Sequence, residues 1–283
     1  MLETTPSQTA LSVAWLRAAH QVLDSPAILS DVAVFSLLGP TAREQIQQRV
    51  DELQTRSARA LRSHIALRSR YTEDGLAYAV RRGVKQYVIL GGGYDTFCLR
   101  QPKWARSLRI TEVDRLATQR DKISRLREAG LVVPDNVAFL TADFESETLN
   151  DALQRGGIDL TIPTFFSCLG VIIYLTPDAI DALFSTVADF ASGSEIVFTF
   201  SQRRDNEDPT ARAAAAKLAA QVAEVGEPFQ SYFETEELRE KLEAFGFQQI
   251  DFLTPSAAEK RYFAGRTDSL PLPRRISIAS GKL

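Results

Sequence analysis

The sequence predicts an α/β protein with a doubly wound, Rossmann-like sheet of seven mostly parallel strands, an antiparallel pair at one edge and an N-terminal cap of helices. Three observations predict it. Only helical patterns occur before residue 84, strand and helix patterns alternate after it, and three glycines follow the first strand. Such alternation is typical of a parallel sheet with helices on both faces.

The cap comes first in the chain, over residues 1–84. Apolar residues recur at the 3.6-residue spacing of a helix in residues 9–23 and again in residues 41–62. We therefore expect two helices in this part and no strand.

The first strand is the apolar run Gln86–Leu90, which stops at Gly91. A short apolar run that ends at glycine indicates a strand buried on both faces. The same reasoning predicts further strands at Leu108–Val113, Val137–Leu140, within Ile158–Cys168 and at Glu195–Phe200. Helical spacing and capping residues predict helices at Leu116–Leu126, after the cap pair Thr176-Pro177, at 210–224, and from a cap at Thr235 to about Phe245.

The last two predicted strands are Phe247–Leu253 and Arg275–Ala279. Because no long helix separates them, we expect an antiparallel pair at the sheet edge. The whole chain then forms one domain. It consists of the cap (1–84), a ligand-binding core (85–200), a lid-like insertion (201–230) and the sheet edge (231–283).

Composition excludes several classes of protein. The chain has 283 residues and a net charge of −3, so it has no overall attraction for nucleic acid. Its two cysteines and two histidines have no metal-ligand spacing, and we expect no metal site. The opening residues carry Glu3 where a secretory signal has basic residues, and no apolar run is long enough to span a membrane. We expect a soluble cytoplasmic protein; its oligomeric state stays open.

The turn after the first strand favours a ligand without phosphate. Gly91 and Gly93 match the start of a dinucleotide motif, but Thr96 stands where its third glycine belongs. Asp95 lies beside the place where a diphosphate would sit. A carboxylate there opposes phosphate and favours a cationic ligand, which speaks against the alternative of an NAD-dependent oxidoreductase.

Acidic residues also end the next two strands. Glu112 and Asp114 lie 21 and 23 positions after Gly91, where an acid can accept the ribose hydroxyls of a nucleoside. Asp143 and Phe144 follow the third strand, where they can hold an adenine. A nucleoside with a positive centre and no phosphate fits all three loops, and S-adenosylmethionine is such a cofactor. Each acid could instead cap a helix, but three strand ends in succession favour the cofactor.

Several motifs together resemble the leucine carboxyl methyltransferase family, especially its bacterial small-molecule O-methyltransferase branch, which includes the tetracenomycin polyketide methyltransferase. The matching segments are Thr9–His20, Asp24-Ser25-Pro26, Arg68-Ser69-Arg70-Tyr71, Val88–Thr96, Thr111–Asp114, Asp143, Tyr174–Pro177 and Arg261–Arg266.

The resemblance implies a class I methyltransferase fold with S-adenosylmethionine contacts at Gly91, Asp114, Asp143 with Phe144, and at either Arg68 or Arg70. One position departs from the family. Protein carboxyl methyltransferases carry an acid before a glycine near strand four, and here Leu169 precedes Gly170. This loss makes methylation of a protein C-terminus the weaker alternative.

We therefore predict an O-methyltransferase that acts on a carboxylate or hydroxyl of a small molecule, such as a polyketide-like natural product. His20 and Tyr174 are the candidates for contact with the acceptor, and we treat His64 as a surface residue. A protein that binds the cofactor without turnover is a further alternative. It has the same cofactor site.

Overall fold

A seven-stranded mixed sheet forms the centre of the computed structural model, which describes residues 5–203, 209–268, 270–273 and 276–283. Its strands are β1 (Gln86–Leu90), β2 (Arg109–Asp114), β3 (Val137–Thr141), β4 (Thr164–Cys168), β5 (Glu195–Thr199), β6 (Gln249–Phe252) and β7 (Ile278–Lys282). They lie in the order β3-β2-β1-β4-β5-β7-β6. Strands β1 to β5 are parallel, and β7 is antiparallel to both β5 and β6. The predicted fold class is confirmed.

The helices flank this sheet and precede it. Within the described residues they are α1 (Gln8–Leu23), α2 (Val34–Leu38), α3 (Ala42–Gln48), α4 (Val50–Leu53), α5 (Arg56–Arg81), α6 (Leu116–Glu128), α7 (Leu149–Arg155), α8 (Pro177–Ala188), α9 (Pro209–Glu224), α10 (Thr235–Ala244) and α11 (Pro255–Ala258). Short 3-10 turns at Phe97–Leu99, Lys103–Ala105 and Ile172–Tyr174 and a π-helical turn at Glu259–Phe263 complete them. None of the helices so described is long and apolar enough to cross a membrane.

Strand β1 is buried on both faces, as its apolar sequence predicts. Val88 and Leu90 pack in one core cluster with α8 and α10, whereas Tyr87 and Ile89 pack on the other face in a cluster with α5. The alternation follows from the period of two in a strand, which sends successive side chains to opposite faces.

The single helix predicted over residues 41–62 is wrong. Arg49 has φ −110° and ψ 21°, which ends α3, and the Thr55 hydroxyl accepts the Ala58 N–H and begins α5. Helix α5 then continues to Arg81, well beyond the predicted end. Periodicity alone did not detect the break, because apolar residues on both sides of it face the core.

Two boundaries differ from prediction, and one helix was not predicted. Glu234, not Thr235, caps α10, through a capping box with Glu237. Strand β7 begins at Ile278, and the predicted start at Arg275 lies outside the described residues, as do Glu3 and residues 204–208 of the expected lid. Helix α7 was not predicted, although the Thr148 hydroxyl caps it by accepting the Asp151 N–H.

The strand order puts a crevice at the end of β1. Its neighbours are β2 on one side and β4 on the other, so the chain leaves β1 at the point where the winding direction reverses. In open α/β sheets this is where ligands bind. The ends of β1, β2 and β4 carry Gly91, Asp114 and Leu169, respectively, into one place.

Candidate active site

A cavity of about 190 Å³ lies at the carboxyl ends of β1, β2 and β4. The turn after β1 forms its floor, with positive φ at Gly91 (68°) and Gly93 (50°). A Cβ atom at Gly91 would overlap the Val171 side chain. Glycine is therefore required here on two grounds, the left-handed backbone and the space.

Asp114 ends β2 and lines this cavity. Its Oδ1 accepts the Arg115 N–H at 2.7 Å, and its Oδ2 accepts the Gly93 N–H. Burial raises the pKa of Asp114, against the opposing effect of these two bonds. The carboxylate thus holds the glycine turn in place and keeps free lone pairs for a ligand.

Asp143 and Phe144 follow β3 and line the same cavity. The Asp143 carboxylate accepts the Glu145 N–H at 3.2 Å and lies 3.5 Å from the Arg115 guanidinium. Phe144 packs its ring against the core. An acidic acceptor and an aromatic ring therefore stand at the third strand end, as the sequence predicted.

Asp95 lies in the cavity wall on the other side of the glycine turn. Its Oδ1 accepts the Phe97 N–H at 2.7 Å, and its Oδ2 lies 3.6 Å from the Arg17 guanidinium. Burial favours the neutral acid, but the charges of Arg17 and Arg100 outweigh it and lower the pKa of Asp95. The ionised carboxylate suits a cationic ligand.

Only one of the two candidate arginines reaches the cavity. Arg68 lies in its wall, with a guanidinium so close to Gly170 that a Cβ there would lie 2.8 Å from Nη1. Within the part of the chain that the structure describes, Arg68 forms no ion pair. Burial lowers its pKa to about 10, so it keeps its charge at neutral pH. Arg70 is exposed, and its guanidinium pairs with Asp74 at 2.9 Å.

The structure does not bring Glu112 into the cavity wall, and its predicted contact with a ribose has no support in this position. The carboxylate pairs with the buried amine of Lys122 and lies 3.1 Å from where a Gly92 Cβ would be. Its side chain points behind the glycine turn instead of over it. Lys122 lies ten positions after Glu112, within the helix that follows β2, and this spacing was the feature of the sequence that could have indicated the pair.

His20 also lies away from the walls of both cavities, so its predicted contact with the acceptor has no support in this position. Its Nδ1 lies 2.8 Å from the Asp24 carboxylate, and its Nε2 accepts the Ile28 N–H at 2.9 Å. Asp24 in turn pairs with the buried Arg62 at 2.7 Å. Both imidazole nitrogens are bonded, and His20 fastens α1 to the following loop.

A second, larger cavity of about 800 Å³ adjoins the first. Helices α1, α5 and α9 line it with mostly apolar side chains. The residues common to both cavities are Thr9, Val13, Arg68, Gly170 and Tyr174. The second acceptor candidate, Tyr174, therefore stands at the junction, where burial raises the pKa of its hydroxyl.

Two further residues, Glu227 and His64, complete the walls. Glu227 is buried in the first cavity and accepts the Thr9 N–H at 3.1 Å and the Thr9 hydroxyl. His64 lies in the wall of the second cavity, so its prediction as a surface residue is wrong. The sequence could have indicated this position, because His64 lies four residues before Arg68 and therefore on the same face of a helix.

Comparison with known proteins decides the family. The leucine carboxyl methyltransferase family model matches residues 10–188, which include the glycine turn and the three strand ends. The chain belongs to the leucine carboxyl methyltransferase family. This result confirms the prediction of a methyltransferase of this family. The bacterial small-molecule branch within the family stays a prediction.

Relatives of this methyltransferase match it over most of its length. It is 32% identical to the putative S-adenosyl-L-methionine-dependent methyltransferase YktD of Bacillus subtilis, over 95% of each chain. It is 30% identical to a protein of the same description from Frankia alni, over 89% of this chain and 90% of that one. A crystal structure of a putative methyltransferase from Thermobifida fusca shares the fold, with TM-score 0.57, 18% identity and coverage of 99% and 96%.

Proposed function

We propose that this methyltransferase uses S-adenosylmethionine to methylate a carboxylate or hydroxyl oxygen of a small molecule. The observation that carries the proposal is the pair of adjoining cavities. One has the polar groups that a nucleoside cofactor needs, the other is large and apolar, and Arg68, Gly170 and Tyr174 line both. A donor in the first cavity and an acceptor in the second would meet at these residues.

The residues of the first cavity fit the cofactor. Arg68 offers an unpaired charge to the methionine carboxylate, and the backbone at Gly91 and Gly93 allows close approach. Asp114 accepts ribose hydroxyls, and Asp143 with Phe144 holds the adenine. S-adenosylmethionine is also the donor that the names of the relatives give. When bound, it supplies a methyl group on a positively charged sulfur.

The second cavity supports a small-molecule acceptor. Sites for drug-sized ligands have volumes of about 300–1,000 Å³ and mostly apolar walls, and this cavity of about 800 Å³ agrees with both. Polyketide-like molecules are of this size and polarity. Leu169, which replaces the acid of the protein carboxyl methyltransferases, lies in the first cavity wall and favours the small molecule over a protein C-terminus.

Positioning is what these walls contribute to the reaction. Holding a nucleophile about 3–3.5 Å from the carbon it attacks can supply roughly 7–11 kcal/mol of the barrier. A carboxylate acceptor needs no base, whereas a hydroxyl gains about 10²–10⁴-fold from one. The chain's own task at the junction is to exclude water and align the acceptor oxygen.

Calorimetric titration with S-adenosylmethionine, S-adenosylhomocysteine and NAD tests the proposal in wild type, Arg68→Gln and Arg70→Gln. We expect micromolar binding of the first two ligands and none of NAD. Arg68→Gln should weaken binding about tenfold to a hundredfold, because it removes a charge-assisted hydrogen bond. Arg70→Gln removes the same charge two residues away, outside the cavity, and should bind as wild type does.

Two results would contradict the proposed function. Tight binding of NAD in place of the first two ligands would indicate an oxidoreductase. Binding of S-adenosylmethionine without transfer of its tritiated methyl group, across a broad panel of phenols and carboxylic acids, would indicate a binding protein without turnover. An equal loss in both arginine variants would exclude Arg68 as the specific contact.

A further inference from the structure

His64 is one of the polar residues in the mostly apolar surface of the second cavity. It lies on α5 one turn before Arg68, and residues four apart share a helix face. Since Arg68 stands at the junction of the cavities, His64 lies one helical turn further into the acceptor side. Among the described residues that line this cavity there is no Asp, Glu or Lys.

His64 has a hydrogen-bonding atom that the protein leaves unused. Its Nδ1 is buried and has no hydrogen-bond partner among the described residues. A buried polar atom without a partner destabilises the fold, and such atoms are rare in native proteins. The chain's other histidine, His20, has both nitrogens bonded. His64 therefore combines a place in the wall of the second cavity with hydrogen-bonding capacity that no described residue uses.

The imidazole is also neutral. Burial and the charge of Arg68 lower the pKa of His64 to about 3, far below neutral pH. A neutral imidazole has one N–H donor and one acceptor nitrogen. A hydroxyl group has the same two capacities, whereas a carboxylate only accepts and is better served by the arginines of the cavity.

We propose that His64 is a specificity-determining residue of the acceptor site and forms a hydrogen bond with a hydroxyl group of an apolar, drug-sized acceptor. This rests on the proposed function, which assigns the second cavity to the acceptor. On this helix face Arg68 contacts the cofactor, and His64, one turn away, distinguishes acceptors with a hydroxyl group from acceptors without one.

The test uses 2-naphthol, naphthalene and 2-naphthoate as probes of the second cavity. The first two differ by a single hydroxyl, and their fluorescence reports binding. Wild type should bind 2-naphthol about threefold to tenfold more tightly than naphthalene, the range of one neutral hydrogen bond. His64→Leu should abolish that ratio, and His64→Gln, which keeps a donor and an acceptor, should restore part of it. Ser57→Leu, an exposed position on the same helix, is the matched control and should keep the full ratio.

Nitrogen NMR of the imidazoles tests the contact without any substitution. The chain has two histidines, so the spectrum is simple and His20 is an internal reference. Addition of 2-naphthol should shift the His64 nitrogens and leave those of His20 unchanged.

Three outcomes would overturn the inference: an unchanged ratio in His64→Leu, no shift of the His64 signals at saturating 2-naphthol, or a loss of 2-naphthoate affinity larger than that of 2-naphthol. Titration of S-adenosylmethionine into the same samples separates this failure from a failure of the proposed function. It reports on the first cavity alone.

Discussion

At the scale of single residues, orientation decides which of the predicted site residues can contact a ligand. Arg68 and Arg70 match the same family motif, yet two residues along a helix point to nearly opposite sides. Arg68 therefore faces both cavities, and Arg70 faces solvent and Asp74. Glu112 and Asp114 end the same strand and also differ in role, one pairing with Lys122 and one holding Gly93.

The neutral state of His64 predicts a loss of stability in acid. Its ordinary pKa is about 6.5, and burial beside Arg68 lowers it to about 3. Between these values the unfolded chain binds the proton and the folded chain does not. The free energy of unfolding therefore falls as the pH falls through this window, by up to about 1.4 kcal/mol per pH unit.

Urea denaturation of wild type and His64→Leu at pH 7, 6 and 5 checks this expectation. The variant lacks the titrating group, so its stability should decline less steeply than that of wild type. Parallel curves for the two proteins would show that the imidazole takes up its proton in the folded state as readily as in the unfolded chain.

At the scale of elements, the turn after β1 depends on glycine for more than flexibility. We predict that Gly91→Ala lowers the free energy of unfolding by about 2–4 kcal/mol, because a left-handed alanine is strained and its Cβ overlaps Val171. The same change at Gly83, which also has positive φ but nothing within 4 Å, should carry the conformational cost alone.

Chemical denaturation of the two variants separates the conformational cost from the cost of the overlap. The difference between their free energies of unfolding measures the overlap with Val171. Gly91→Ala should also lose S-adenosylmethionine binding, because the shift of the turn moves the Gly93 N–H away from Asp114. Equal stabilities for the two alanine variants would mean that Val171 moves aside without cost.

At the scale of the whole molecule, two segments that are far apart in the chain close the first cavity together. Thr9 on α1 and Glu227 after α9 are 218 positions apart, and their hydrogen bonds join the helical cap to the segment that follows α9. That segment is attached to the loop after β4, where the Gln230 N–H donates to the Ile173 carbonyl at 2.8 Å and the Ser231 hydroxyl donates to the Leu175 carbonyl at 2.5 Å.

We predict that Glu227→Gln weakens the binding of S-adenosylmethionine about threefold to thirtyfold, mainly through faster dissociation, because the two hydrogen bonds from Thr9 lose their charge assistance. Stopped-flow displacement of the cofactor measures the rate. Glu224→Gln, an exposed change at the end of α9, should dissociate as wild type does. Equal rates in the two variants would show that this contact does not hold the cavity closed.

Local chain properties account for the parts of the site that the sequence predicted well. The strand β1, the glycine turn, Asp114 and the pair Asp143 and Phe144 all follow from hydrophobic runs and from what ends them. The helix over 41–62 was wrong, and the positions of Glu112, His20 and His64 differ from those expected, because each depends on which neighbour the residue meets. Such a neighbour can be remote in the chain. The break in the helix was missed for another reason, since the apolar pattern continues across it.

The sequence by itself therefore determined the class of fold, the family and the loops that form the cofactor cavity, because strand period, glycine positions and motif spacing are local. Only the tertiary structure decided which arginine faces the cavities, that His64 lines the second cavity, and that Glu227 reaches Thr9. These outcomes depend on how α5 packs against the sheet and on the contacts that join α1, the segment after α9 and the loop after β4. Packing of elements far apart in the chain is set by the shape and burial of whole surfaces, which no short stretch of sequence encodes.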